Sequence, residues 1–185
     1  MTYFRLIMYD LVLIKTNKED IIAFARTLGF SNVFFINKED IITNSKNIKN
    51  KKGLMIVEGG YEELNRIALS SKSVNILLNP ETKKRETVKG INSGLNHILC
   101  DLAQKHNISI GYSLDYIQNA DVFLLKKIIQ NISLCKKFKV PVLIFTLAKS
   151  KSELRSAEDL ESLGISLGLN TKQAKTALTK IAEYL

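Results

Sequence analysis

The sequence predicts an α/β fold built on a parallel sheet, and three observations carry that prediction. Six short apolar runs rich in β-branched or aromatic residues recur along the 185 residues, which is the signature of strands. Helical patterns lie between them, so consecutive strands are expected to be joined by right-handed crossovers and to run parallel. Most of the runs are nearly continuous in apolar character instead of alternating, as strands covered on both faces must be.

In chain order the strand runs are residues 6–13, 33–36, 54–57, 74–78, 108–112 and 140–145. Helices are expected at 18–28, 61–69, 94–106 and 121–138 and as a pair at 157–164 and 171–185, with a short turn near 38–42. Glu58-Gly59-Gly60 supplies the backbone freedom of the turn after the third strand. Segments 37–52 and 79–89 are polar and lysine-rich without linker composition, so they read as surface loops. A barrel and a doubly wound sheet both fit this order; an antiparallel sandwich does not. Six runs fall short of the eight strands of a complete (β/α)₈ barrel, so a barrel here must be compact, with weakly signalled strands such as 88–91. With 45% hydrophobic residues the chain can bury one sizeable core, and residues 1–185 are expected to form a single domain.

Lys and Arg number 27 against 18 Asp and Glu, a formal charge of +9. That surplus must face solvent, and it suits a polyanionic partner. The competing reading is that lysine is simply the solubilising residue of an Ile-, Asn- and Lys-rich chain. The two cysteines, Cys100 and Cys135, fall in apolar helical patterns with no metal-binding spacing and read as reduced core residues of a cytoplasmic protein. Met1-Thr2-Tyr3-Phe4-Arg5 does not open a secretory leader, and no run reaches the length of a membrane span, so no membrane association is expected.

Catalytic groups are hard to find. A metal-dependent barrel enzyme needs several His and Asp side chains at strand ends. The chain has two histidines, His97 and His106, and neither follows a strand. Asp10, Glu58 and Asp115 are the carboxylates that a phosphoesterase reading would recruit as ligands. There is no GxGxxG after a strand, no GxxxxGK[ST] and no GxSxG. On a wheel of about 100° per residue, Ile98, Leu99 and Leu102 share a face with Leu95, and His97 points about 160° away from it. An exposed imidazole there is free to meet a base or a phosphate, or to do nothing. His106 falls near the apolar stripe at the helix end and reads as structural.

Cations, by contrast, cluster. Lys46, Lys49, Lys51 and Lys52 share one loop; Lys83, Lys84, Arg85 and Lys89 share another, directly before the helix bearing His97. On the helix from Asp121, Val122, Leu125, Ile128, Ile129, Ile132 and Cys135 form the expected core stripe, with Lys126, Lys127, Gln130 and Lys137 on the outer face. Lys149, Lys151 and Arg155 follow the last strand, where parallel α/β folds bind ligands. Neutralising several phosphates at once gives salt-dependent affinity without any base-reading motif.

Ser93-Gly94-Leu95-Asn96-His97 through Ala103, followed by Ile108-Ser109-Ile110-Gly111-Tyr112-Ser113-Leu114, resembles the "SGL-N/D-H" helix and next strand of the archaeal ribonuclease P protein component 3 family. Cys135-Lys136-Lys137 to Val140-Pro141 resembles that family's helix-to-strand junction. Ala148, Arg155 to Leu160 and Gly164 to Gly168 resemble its ending, and Tyr9-Asp10-Leu11 its first strand. Ala157 and Glu158 depart from the proline and the aromatic or small residue often found there. The resemblance implies a compact TIM-barrel-like fold related to PHP-type phosphoesterase barrels but lacking their metal site. It implies partners: RNase P RNA, RNase P protein component 2, other RNase P protein subunits, and precursor tRNA through the holoenzyme. It further implies that 5′-leader cleavage belongs to the RNA with its Mg²⁺, and that this chain supplies neither catalytic residues nor a metal site. The RNA-contact candidates it carries over are Lys89, His97 and Arg155; Lys83, Lys84, Arg85 and Lys105 join them on charge and position.

Overall fold

The computed structural model describes residues 7–15, 17–48, 53–82 and 92–184. Among them the chain alternates strand and helix. The first half runs β1 (Tyr9–Val12), α1 (Lys18–Thr27), β2 (Asn32–Phe35), β3 (Ile41–Ile42), β4 (Ile56–Glu58), α2 (Glu62–Ser70) and β5 (Ile76–Leu78). The second half runs α3 (His97–Lys105), β6 (Ser109–Ser113), α4 (Leu114–Gln118), α5 (Val122–Lys137), β7 (Val142–Phe145), α6 (Ala157–Ser166) and α7 (Thr171–Thr179), then a 3₁₀ turn at Lys180–Tyr184. Every ladder is parallel, in the orders β1-β2 and β3-β4-β5-β6-β7. The two pieces join where the chain leaves β7. Val12 bridges Ala148, Leu147 N donates to Leu11 O at 3.0 Å, and Leu13 N donates to Ala148 O at 2.8 Å. The spatial order is therefore β3-β4-β5-β6-β7-β1-β2. Among the described residues no ladder joins β2 to β3, so the hydrogen-bonded ring stays open at that seam.

The continuous apolar runs are explained by two clusters, one on each face of the sheet. Val12, Val33, Val57, Leu77, Ile110, Tyr112, Val142 and Ile144 face the helices. Leu11, Ile56, Ile76, Leu78, Leu143, Phe145 and Leu147 meet on the other face, joined by Phe34, Ile36 and Ile41. One inner cluster that draws on β1 to β5 and β7 requires the sheet to curl on itself, which is the barrel-like element of the fold. β6 contributes Gly111 at its inward position: a Cβ there would lie 2.7 Å from Ile76 Cγ2 and 3.1 Å from Phe145 Cε2. Ile181 and Tyr184 of the closing 3₁₀ turn also join this cluster. The Tyr184 hydroxyl lies 2.7 Å from Ser109 Oγ and donates to Asn107 O, so the turn covers the N-terminal ends of the strands.

Several expectations are corrected. Residues 41–42, read as part of a turn, form β3 against Ile56 and Val57; two residues are too few to show a period. α4 was not anticipated at all. The α5 stripe is rotated: Lys127, Ile128, Asn131, Ile132 and Cys135 are buried, whereas Val122 is 67% exposed and Ile129 is also exposed. Polar partners beneath the helix, described below, decide that rotation. In α3 it is Leu99, Cys100 and Ala103 that pack inward, and Ile98 is 58% exposed. Residues 88–91 lie outside the described residues. Cys100 and Cys135 are buried free thiols. No described helix is long and apolar enough to cross a membrane.

Because the inward position of β6 is filled by Ile76 and Phe145, Gly111→Ala is expected to destabilise the chain by about 1–3 kcal/mol through overpacking. Urea unfolding measures this directly; an unchanged midpoint would mean that Ile76 and Phe145 do not press on β6.

Candidate nucleic-acid interface

The basic segment 83–91, with Lys83, Lys84, Arg85 and Lys89, lies outside the described residues, but both of its roots are described. They are bound to each other and to three surrounding elements. Thr82 Oγ1 donates to Asn92 O at 2.8 Å. From α2, Asn65 Nδ2 donates to Pro80 O at 2.7 Å and to Gly94 O at 3.1 Å. From α5, Asn131 Nδ2 donates to Glu81 Oε1 and to Ser93 O, each at 2.8 Å, and Lys127 Nζ donates to Thr82 O at 2.9 Å. From β6, the Tyr112 hydroxyl donates to Glu81 Oε1 at 2.9 Å. Gly94 closes the clamp: its φ is +95°, and a Cβ on it would stand 2.1 Å from Pro80 O.

Glu81 is the centre of this network and is 1% exposed. Burial raises its carboxyl from an ordinary 4.5 to about 7, against the opposing hydrogen bonds from Asn131 and Tyr112. Burial likewise raises the Tyr112 phenol well above its usual range, with the Glu81 charge adding to the effect. Neither Glu81, Asn65 nor Asn131 was singled out from sequence. Nothing in their spacing marks them, since the partners come from residues 15 to 50 positions away.

The remaining candidates fall at different places. Asn96 caps α3 by accepting from Leu99 N at 2.9 Å, which leaves His97 exposed as the first residue of the helix. Arg155, also exposed, lies in the loop between β7 and α6, its Nη1 donating to Ser152 O and Leu154 O. Arg155 stands two residues before Ala157, whose N donates to Leu28 O at the end of α1, so the two candidates are held by different parts of the fold. Lys105 ends α3, about 12 Å along the helix axis from His97 and toward the opposite rim of the sheet. His106 is structural, with Nδ1 donating to Leu69 O at 2.8 Å.

The proposed basic faces are thinner than the sequence suggests. Lys127 is 7% exposed and belongs to the clamp instead of the outer face of α5. Lys151 is engaged by Asp20 at 3.0 Å and lies over the Phe24 ring. Lys126 and Lys137 lie over Phe123 and Phe138.

The three carboxylates of the enzyme reading do not act together. Asp10 is buried, accepting from Leu11 N and Thr146 N through Oδ1 and from the Thr146 hydroxyl through Oδ2. Burial raises it from 3.8 to about 6, with the Thr146 and Leu11 hydrogen bonds opposing. Asp115 accepts from Asn119, and Glu58 is exposed at the end of β4. Among the described residues no group of three His, Cys, Asp or Glu side chains could hold a metal ion.

Residues 37–185 match the family described as RNase P subunit p30. The chain belongs to that family. It is 29% identical over 165 residues to ribonuclease P protein component 3 of Thermococcus gammatolerans, covering 87% of this chain and 74% of that protein. The protein of the same name from Thermococcus kodakarensis is 28% identical over 165 residues, with 87% and 72% covered. That of Methanocaldococcus jannaschii is 31% identical over 142 residues, 75% of this chain but 56% of that protein. In fold the chain is similar to one in the cryo-EM structure of archaeal ribonuclease P with mature tRNA, at a TM-score of 0.75 and 23% identity, over 95% of this chain and 89% of that one. The p30 match begins at residue 37, past β1, α1 and β2, whereas the structural likeness extends over nearly the whole chain.

Two outcomes test the clamp that this p30-family chain builds beneath its basic segment. Gly94→Ala forces a side chain into a left-handed conformation and onto a carbonyl, and it is expected to cost roughly 2–4 kcal/mol in denaturant unfolding. The second concerns pH. Between 4.5 and about 7 the folded chain keeps a Glu81 proton that the unfolded chain releases, so stability falls as pH rises through that window and levels off above it. Asp10 contributes with the same sign between 3.8 and about 6. Urea melts at pH 5 and pH 8 should show the wild type losing stability relative to Glu81→Gln; parallel profiles would show that Glu81 does not titrate in this window.

Proposed function

We propose that this chain is a non-catalytic RNase P subunit that binds and stabilises the catalytic RNA for removal of the 5′ leader from precursor tRNA. The observation that carries the reading is the clamp. A p30-family chain commits a buried carboxyl, two amides and a lysine to fixing both roots of a segment with four basic residues, immediately before the exposed His97. A rigid base lowers the entropy lost when cationic side chains meet phosphates. Arg155, exposed in the loop between β7 and α6, is a second candidate contact, and Lys105 would serve a separate one. RNase P protein component 2, the other protein subunits and precursor tRNA are the proposed partners, by likeness to the relatives named above. The Mg²⁺ of the reaction is assigned to the RNA, the chain's compartment to the cytoplasm, and residues 1–185 to one compact TIM-barrel-like domain.

The deciding experiment is precursor tRNA cleavage by the reconstituted ribonucleoprotein at limiting Mg²⁺, with this chain present, omitted, or carrying Lys89→Ala, His97→Ala and Arg155→Ala together. Omission should raise the Mg²⁺ requirement, and the triple variant should do likewise while remaining folded. Its RNA affinity should also lose about two to three units of slope against log salt, roughly one for each phosphate contact removed. Cleavage unaffected by omission would refute the role; an unchanged salt slope would refute this choice of residues.

A further inference from the structure

A cavity of about 170 Å³ lies at the C-terminal ends of β3, β4 and β5, and its chemistry is the reverse of the chain's +9 surface. Thr43, Glu58, Tyr61, Asn79, Glu81 and Tyr116 line it together with the Gly59-Gly60 turn, and among the described residues no basic side chain does. Glu81 accepts two hydrogen bonds through Oε1, and Oε2, although buried, has no partner. A buried carboxyl oxygen left so is costly unless a donor reaches it. Glu81 lines a space large enough to admit one, with the Tyr116 phenol as the chain's own donor toward its carboxyl.

The rest of the wall suits a positively charged donor. Glu58 stands exposed at the end of β4. The Tyr116 phenol lies within the influence of both carboxyls, and its ionisation is pushed up by burial and by Glu81 and then Glu58. With Tyr61 it offers an aromatic face, which attracts ammonium and guanidinium groups. A divalent ion is less well served. It seeks six or more oxygens at short range, while no three ligating acidic, histidine or cysteine side chains come together among the described residues.

We propose that this cavity binds a small organic cation, the protonated amine or guanidinium end of a flexible ligand, with Glu81 and Glu58 as its charged acceptors. The groups facing Glu81 are Tyr112 from β6, Tyr116 from α4, and Asn131 and Cys135 from α5, with Lys127 bonded to the adjacent Thr82. The phenols and the thiol are held neutral by burial and their neighbours. Glu81 therefore acquires its charge as pH passes about 7, and affinity rises from pH 6 to pH 8. A free diamine and the side chain of a partner protein present the same chemistry, and the two arms of the test separate them.

The full-length chain, ¹⁵N-labelled at pH 8, is titrated with putrescine in one arm and with N-acetyl-arginine amide in the other, against NaCl of equal ionic strength and against Mg²⁺. The expected result is saturable movement of the Gly59, Gly60, Asn79 and Glu81 amides with at least one of the two probes. Glu81→Gln and Glu58→Gln should each weaken binding about tenfold, the loss expected for one charged hydrogen bond. Preference for putrescine identifies a free polyamine as the ligand class, and preference for the arginine amide a protein side chain. Glu58 is exposed, so its variant carries the test even if Glu81→Gln fails to fold. Movement no larger than that given by NaCl, saturation by Mg²⁺ alone, or binding insensitive to both variants would overturn the proposal.

Discussion

The constraint on which this structure turns is the burial of the Glu81 carboxyl. A carboxyl 1% exposed must be neutralised or bonded, and here it serves as the acceptor on which Tyr112 and Asn131 converge. The bond to Glu81 helps to fix the orientation of the Asn131 amide, as Pro80 and Gly94 fix that of Asn65. Asn131 gives both donors away, to Glu81 and Ser93, and Asn65 gives both to Pro80 and Gly94, so each amide is left with an unpartnered buried oxygen. Every such oxygen costs about 1–3 kcal/mol. The fold tolerates that cost at two positions to hold four backbone and side-chain acceptors in register. The result is a polar junction, buried beneath α5, between the end of β5 and the start of α3.

That junction is tied to the curl of the sheet through a single strand. Along β6 the side chains alternate, so Tyr112 reaches outward to Glu81 while Gly111, its neighbour, makes inward room for Phe145. The outer network and the inner apolar cluster thus depend on the same five residues holding one register against β5 and β7. A slip of one position would turn Tyr112 into the inner cluster and remove the hydroxyl from Glu81. Asp10 does comparable service at the next seam. It fastens the exit of β7 to β1 through Thr146, where the two hydrogen-bonded pieces of the sheet meet.

What the sequence discloses of this arrangement follows from what is local in it. The longer strands and helices are legible because burial on one or both faces leaves a period or an unbroken run. β3 is not, since two residues hold no period, and α5 is misjudged for a deeper reason. A helical wheel assumes that apolar side chains define the buried face. Here Asn131 and Lys127 are drawn inward by acceptors on residues 81, 82 and 93, and Val122 and Ile129 turn outward as a consequence. The Ser93-Gly94-Leu95-Asn96-His97 stretch was legible as a family feature, but its parts serve different ends. Ser93 and Gly94 belong to the clamp, Leu95 to the core, Asn96 to the helix cap, and His97 alone is presented to solvent.

The same distinction bears on how a parallel α/β fold uses its C-terminal rim, the edge where such folds place ligands. Carboxylates at this rim suggest metal chemistry when read from sequence alone, yet Asp10 and Asp115 are already committed to neighbours within the chain. Glu58 and Glu81 line an open space, and in the sequence Glu81 stands just ahead of a segment whose own charges are basic. Opposite charges a few residues apart in the sequence suit ligands of opposite sign. A basic segment attracts phosphates, and a cavity lined by carboxyls repels them and attracts cations. The buried network serves both, since Glu81 accepts from Tyr112 and Asn131 at the root of the basic segment and also lines the cavity.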